Sequence, residues 1–161
     1  MEAQAPQVEH IATHAEFEAQ LLALIGRSQH ELQAFDPDFA VFQLGRSDVD
    51  AALRTFLAGG GRLSLAMHDP AQILAHQPRF LRLIKDYAHR VDCRQTPATL
   101  HHLTDSFLIG DGQHVLRRYH CAQMRGEASF ADIQATETPA ERFAEIWAES
   151  TPALHATTLG L

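Results

Sequence analysis

Apolar residues recur every three or four positions in several stretches of the chain, as they do on a helix with one buried face. The first stretch follows Thr13, which stands three residues before Glu16, the spacing of a helix capping box. The second stretch ends at three consecutive glycines, which favour helix termination. We predict five helices: near 14–27, from 47 to the glycines at 59–61, over 70–76, from Pro78 onward, and from Thr138 onward.

Other stretches alternate apolar with polar residues, as strands with one buried face do. They predict strands over 31–35, 62–67, 91–94, 105–110, 114–119 and 128–134. Asp111 and Gly112 separate two of these strands and are typical of a tight hairpin turn. Because helices and strands alternate, we predict an α/β fold: one domain over 12–161, with a mixed, mostly parallel sheet and helices on both faces. We expect the polar residues 1–11 to form a flexible N-terminus.

Composition narrows the classes of function. The chain has 161 residues and a net charge of −7 with histidine neutral, which argues against broad nucleic-acid binding. No apolar run approaches the roughly 18 residues that a membrane span needs. The two cysteines, Cys93 and Cys121, match no metal motif, so we expect reduced thiols and a cytoplasmic location. The sequence predicts no cofactor and no metal.

The order of predicted elements and the stretch 104–112 resemble one half-molecule of the phospholipase D superfamily. The motif of that superfamily is His-x-Lys, four mostly apolar residues, then Asp. When the apolar run is aligned, Thr104 stands in place of the histidine and Ser106 in place of the lysine, and only Asp111 is kept. Phe143 and Trp147, in the last predicted helix, match a Phe-x-x-x-Trp-like pattern that a late helix of the superfamily often carries.

Within that group, the chain is similar to a small bacterial family of unknown function. The residues that carry this closer resemblance are Pro78-Arg79, the stretch from Asp105 to Asp111, Ile146-Trp147, and Leu159-Gly160-Leu161. The resemblance implies a phospholipase D-like fold and a homodimer as the assembly to test. Because threonine and serine supply neither the nucleophile nor the phosphate-binding charge, it also implies a degenerate site without the ancestral chemistry.

Several other residues are candidates for a site. His101 and His102 lie just before the motif strand, where a relocated catalytic histidine would be expected, although a polar loop explains them and Asp105 better than a metal site does. Candidate ligand-binding residues are Arg117, Arg118, Arg79, Asp105 and His68. An inward-facing arginine has two interpretations: it pairs with Asp111 or Asp105, or it binds an anion.

The sequence therefore favours a non-catalytic domain with a binding or regulatory role, for a small anionic ligand or a protein partner. The alternative is a phosphodiesterase or nuclease with a relocated histidine. One face of the last predicted helix carries Phe143, Ile146 and Trp147. The favoured interpretation of this stripe is core packing, and the alternative is a homodimer face.

Overall fold

A computed structural model describes residues 5–155, which form one mixed sheet with helices on both sides. The strands are β1 Gln7–Ile11, β2 Glu31–Phe35, β3 Arg62–Met67, β4 Val91–Gln95, β5 Ser106–Gly110, β6 His114–Arg118, β7 Gly126–Phe130 and β8 Thr151–Ala153. The helices are α1 His14–Arg27, α2 Ser47–Ala58, α3 Ala71–His76, α4 Pro78–Asp86 and α5 Ile133–Glu149, with a short 3₁₀ turn at Ala98–Leu100.

The eight strands lie in the order β1-β7-β6-β5-β2-β3-β4-β8. The prediction of a mostly parallel sheet was wrong, because only the β2–β3 and β3–β4 pairs are parallel and the other five pairs are antiparallel. The reason is that β5 enters beside β2 in the opposite direction, and the β5–β6–β7 meander then continues the sheet on that side. The α/β class and the helices on both faces are confirmed.

The two faces of the sheet carry separate cores. One face packs against α1, α2 and α4 through a large cluster that includes Phe17, Leu53 and Phe80. The other face packs against α5, with Phe143 and Ile146 only 2% and 4% exposed. These two residues of the stripe on α5 are therefore core residues, and they are not available as a homodimer face.

Several element boundaries differ from the predictions: the strand predicted over 128–134 is β7 at Gly126–Phe130, and the two largest differences concern the first strand and the last helix. Residues Gln7–Ile11 form the edge strand β1, because they pair with β7 in antiparallel register and bury Ile11; residues 1–4 lie outside the described part of the chain. The last helix begins at Ile133 instead of Thr138. The Asp132 side chain accepts the Ala135 N–H at 3.2 Å and caps this earlier start, so Pro139 lies inside the helix.

Within residues 5–155, no helix is long and apolar enough to cross a bilayer.

Candidate functional site

Polar side chains form a row across the sheet at the carboxyl ends of the parallel strands. Asp36 follows the last residue of β2, and β5 runs antiparallel to β2 with Phe35 opposite Phe107. Ser106 is therefore the next position of the row, and it lies opposite Arg118 on β6. Ligands bind outside this edge in open α/β sheets, so the row is the first place to look for a site.

An ion pair between buried groups lies at the centre of the row. Arg118 Nη2 donates to Asp36 Oδ1 at 3.2 Å, and Arg118 Nε approaches Ser106 Oγ at 3.5 Å. Asp36 is 0% exposed and Arg118 is 6% exposed. Burial raises the pKa of the Asp36 carboxyl above its usual value, although backbone hydrogen bonds and the Arg118 charge act in the opposite direction.

The other oxygen of Asp36 organises the loop that follows β2. Asp36 Oδ2 accepts the N–H of Asp38 at 3.0 Å and of Phe39 at 2.6 Å, which makes an Asx turn around Pro37. Phe39 is fully buried at a φ of 61°, in the left-handed region that bulky residues rarely occupy. The ion pair and the turn together keep this loop in a conformation that it would not adopt alone.

A cavity of about 370 Å³ opens between this loop and the end of β6. The loop lines it with five residues between 37 and 43, and His14, Arg118 and Cys121 complete its wall. Arg118 Nη1 has no hydrogen-bond partner among the described residues and is not sealed from solvent. We call this space the Arg118 cavity.

His68 lies at the same edge but on the α5 side of the sheet. Its Nδ1 is 2.6 Å from Thr96 Oγ1, and its Nε2 is 2.7 Å from the Leu103 carbonyl. Because a carbonyl only accepts, Nε2 carries a proton. Burial is the main reason why the pKa of His68 is lowered. Both ring nitrogens are engaged within the protein, so His68 is not free to bind a ligand in this arrangement.

The two histidines before the motif strand have different surroundings. The exposed His101 ring lies 4.7 Å from the His68 ring, between centroids. His102 is exposed, and its Nδ1 contacts the carbonyl of its own turn at Thr99, 3.0 Å away. Only His101 is therefore close to a polar group of this edge.

The remaining candidate ligand residues do not meet at one place. Arg117 lies on β6 next to Arg118 and therefore points to the opposite face, because strand residues alternate. Arg79 Nη1 donates to the Gly45 carbonyl at 2.7 Å at the start of α4. Asp105 forms a two-pronged pair with Arg142 on α5, with one contact of 2.9 Å. Of the three candidate arginines, Arg118 alone lines the Arg118 cavity.

The interpretation that an inward arginine of the strands pairs with Asp111 or Asp105 was wrong. Arg118 does point inward, but its partner is Asp36. Asp105 does bind an arginine, but it is Arg142 of α5. Arg118 is 82 residues from Asp36 and Arg142 is 37 residues from Asp105, so no local spacing pattern indicates these partners.

Asp111 is a structural residue of the hairpin. Its carboxylate accepts the backbone N–H groups of Gln29, His30 and Glu31 at 2.8, 2.8 and 2.9 Å. Burial acts to raise the pKa of Asp111, but these three hydrogen bonds outweigh it and hold the pKa below the usual value. Asp111 therefore ties the β5–β6 turn to the connection between α1 and β2, at the opposite end of the strand from the Arg118 cavity.

Thr104 and Ser106 occupy the motif positions, and each makes a contact within the chain, Thr104 through its backbone and Ser106 through its side chain. The Thr104 carbonyl accepts the Cys121 N–H at 2.6 Å, and the Ser106 side chain lies beneath Arg118. Within the described part of the chain, no group of three histidine, cysteine, aspartate or glutamate side chains is arranged to hold a metal ion.

Comparison with solved structures identifies the class of fold. Nuc from Salmonella typhimurium, a phospholipase D family member, has 12% identity and a TM-score of 0.69, with 92% of this chain and 99% of that chain covered. NucT from Helicobacter pylori has 8% identity and a TM-score of 0.63, with 92% and 100% covered. TrmBL2, an archaeal chromatin protein whose structure shows a novel mode of DNA binding, has 12% identity and a TM-score of 0.66, with 94% and 55% covered.

The fold is therefore phospholipase D-like, as the resemblance implied. At the level of sequence, the chain belongs to the family described as "Domain of unknown function (DUF7931)", whose model matches residues 13–159. No curated protein is significantly similar to the chain in sequence.

Proposed function

We propose that this phospholipase D-like domain is a non-catalytic binding module, and that its ligand is a small oxyanion taken up in the Arg118 cavity. The observation that carries the proposal is the identity of the residues at the motif positions. Where the superfamily motif has histidine and lysine, this chain has Thr104 and Ser106, and the Ser106 hydroxyl lies 3.5 Å from Arg118 Nε. Neither side chain is a nucleophile with an adjacent base.

The choice of an oxyanion rests on Arg118. Its guanidinium is largely buried and one of its nitrogens, Nη1, lacks a partner among residues 5–155. A guanidinium is well suited to carboxylate, phosphate and sulfate groups because its N–H donors match pairs of oxygens. The cavity of about 370 Å³ is large enough for such a group and a small substituent.

We expect no phosphodiesterase activity from this domain. The wild-type protein and the His101→Ala/His102→Ala variant should both leave bis-p-nitrophenyl phosphate at the uncatalysed rate, measured by release of p-nitrophenolate. Any wild-type rate above background that disappears in this variant would instead establish the alternative, a phosphodiesterase with a relocated histidine. The single variants would then separate the roles, and the contact with His68 favours His101 over His102.

The homodimer stays a prediction that rests on the resemblance alone. Size-exclusion chromatography with light scattering should give twice the mass of the 17.9 kDa chain. A monomer at high concentration would contradict it without affecting the proposal for the Arg118 cavity. A protein partner, which the sequence left open as an alternative to the anionic ligand, also stays a prediction.

A further inference from the structure

The arginine at the end of the Arg118 cavity already binds an oxyanion, which is the protein's own Asp36 carboxylate. The contact between them is a single hydrogen bond of 3.2 Å from Nη2 to Oδ1. Nε approaches only the Ser106 hydroxyl at 3.5 Å, and Nη1 has no partner in the described part of the chain. The guanidinium therefore makes fewer charge-assisted hydrogen bonds than it is able to make.

The Arg142–Asp105 pair in the same protein shows a fuller arrangement. There two guanidinium nitrogens bind the two carboxylate oxygens, in a pair that is about one third exposed on the arginine side and one quarter on the aspartate side. The Asp36–Arg118 pair is far more buried but has only one such bond. An external oxyanion entering the Arg118 cavity would offer the missing acceptors.

The geometry allows Asp36 to give up Arg118 and keep its place in the loop. Its Oδ2 binds the N–H groups of Asp38 and Phe39, whereas its Oδ1 binds only Arg118 among the described residues. A proton on Oδ1 would leave both bonds at Oδ2 in place. The wall of the cavity, which this loop forms, would then remain intact when Arg118 turns to a ligand.

The charges around Asp36 favour that proton once Arg118 is engaged elsewhere. The groups that interact with it electrostatically are Arg118 on β6, Asp38 on its own loop and His68 after β3. Asp38 acts to raise the pKa of Asp36. The pKa of His68 is itself lowered by burial, so His68 does not replace the positive charge of Arg118. A buried carboxylate without a partner is strongly disfavoured.

We infer that Asp36 masks Arg118, and that the Arg118 cavity binds an oxyanion together with one proton, which is taken from solvent by the Asp36 carboxyl. This inference rests on the proposed function, because it concerns the regulation of the same site. In the free protein the ionised Asp36 carboxylate is hydrogen-bonded to Arg118. In the bound protein Arg118 pairs with the ligand and Asp36 is a neutral acid.

Sulfate is the appropriate probe, because its charge does not change between about pH 5 and 8. We expect wild-type protein, titrated with sulfate by calorimetry at constant ionic strength, to bind more tightly as the pH falls, by up to about tenfold for each pH unit. Calorimetry in buffers of different ionisation enthalpy should show proton uptake on binding. The His14→Gln variant changes the cavity wall, so its affinity for sulfate is not the readout; it should keep the proton uptake, which separates Asp36 from the exposed histidine of the cavity wall.

The Asp36→Asn variant removes the competing charge. It should bind sulfate at least several-fold more tightly than wild type at pH 7.5 and lose most of the proton uptake. The Asp36→Asn/Arg118→Gln double variant, in which both charges are gone, should not bind sulfate. The Arg79→Gln variant, which removes an arginine outside the cavity, should bind sulfate as wild type does. If Asp36→Asn does not fold, the buffer experiment on the wild-type protein decides the question.

The two proposals fail in different ways. If sulfate binds to wild type without proton uptake and with the same affinity as to Asp36→Asn, the masking by Asp36 is wrong and the anion site stands. If neither wild type nor a folded Asp36→Asn variant binds sulfate at any pH, the anion site itself is wrong, and masking is overturned with it.

Discussion

Replacing Arg118 with methionine should lower the free energy of unfolding by about 3–5 kcal/mol, the largest effect that we expect from a single substitution in this protein. Arg118 is the ion-pair partner of the fully buried Asp36. Methionine keeps much of the side-chain volume but leaves the carboxylate without a counter-charge. Urea unfolding followed by circular dichroism at neutral pH measures the loss.

The double variant Asp36→Asn/Arg118→Met is the matched control, because it removes the charge that Arg118→Met leaves unpaired. We expect it to be more stable than Arg118→Met alone. Arg79→Met, at an exposed arginine that donates to a backbone carbonyl, should change stability by less than about 1 kcal/mol. A loss of under about 1 kcal/mol for Arg118→Met would show that the pair contributes little to the loop after β2.

The pH dependence of the Arg118→Met variant has a definite sign. Burial already raises the pKa of Asp36 in the folded wild-type protein, and removing the arginine removes one of the influences that lower it. A folded-state pKa above the unfolded value means that the folded state binds more protons, so stability is lost as the pH rises above about 3.8 toward the folded pKa. The deficit relative to wild type should therefore be larger at neutral pH than near pH 4.

Asp111→Ala should lower the free energy of unfolding by about 3 kcal/mol, since three backbone N–H groups lose their acceptor. Asp111 also has a φ of 52°, which alanine tolerates less well than aspartate. Asp111→Gly separates the two effects, because glycine accepts the positive φ and lacks the carboxylate. Thermal or urea unfolding of the three proteins should place Asp111→Gly between wild type and Asp111→Ala.

Asp111→Asn tests the carboxylate more finely, because asparagine accepts the same φ with one oxygen instead of two. We expect roughly half the loss seen for Asp111→Ala. Since the pKa of Asp111 is lowered in the folded state, its contribution is present above its unfolded pKa near 3.8 and is lost as the pH falls through the folded value. Equal stability of wild type and Asp111→Ala at neutral pH would contradict this structural role.

Asp111 and Arg118 make their contacts at opposite ends of β5, in a phospholipase D-like fold that has Thr104 and Ser106 at the positions of the motif histidine and lysine. Asp111 ties the hairpin to the start of β2 at one end of β5, and it is the motif residue whose contacts are structural. At the other end of β5, Arg118 and Asp36 lie beside the position where the motif lysine would stand. The chain thus has a structural aspartate at one end of β5 and a buried ion pair at the other end, and the ion pair is where we propose that ligands bind.

Most helices and strands followed from local pattern. The buried faces of α1, α2 and β3 were predicted from apolar spacing because burial on one side imposes that spacing whatever the neighbouring element is. The capping pair Thr13 and Glu16 placed the start of α1 correctly, and the Thr13 hydroxyl accepts the Glu16 N–H. The predicted start of the last helix was too late because Thr138 stands three residues before Glu141, which is capping-box spacing, whereas the actual cap is Asp132.

The sequence by itself determined the α/β class, the order of most elements, the hairpin at Asp111 and the loss of the motif histidine and lysine. It grouped Arg117 with Arg118 as candidate ligand-binding residues, and the observed strand β6 separates them because neighbouring strand residues face opposite sides. The tertiary structure alone decided that most strand pairs are antiparallel, that β1 joins the sheet, and that Arg118 binds Asp36 across 82 residues. Strand pairing and buried ion pairs depend on which distant segments meet, and local periodicity reports only that a residue is buried.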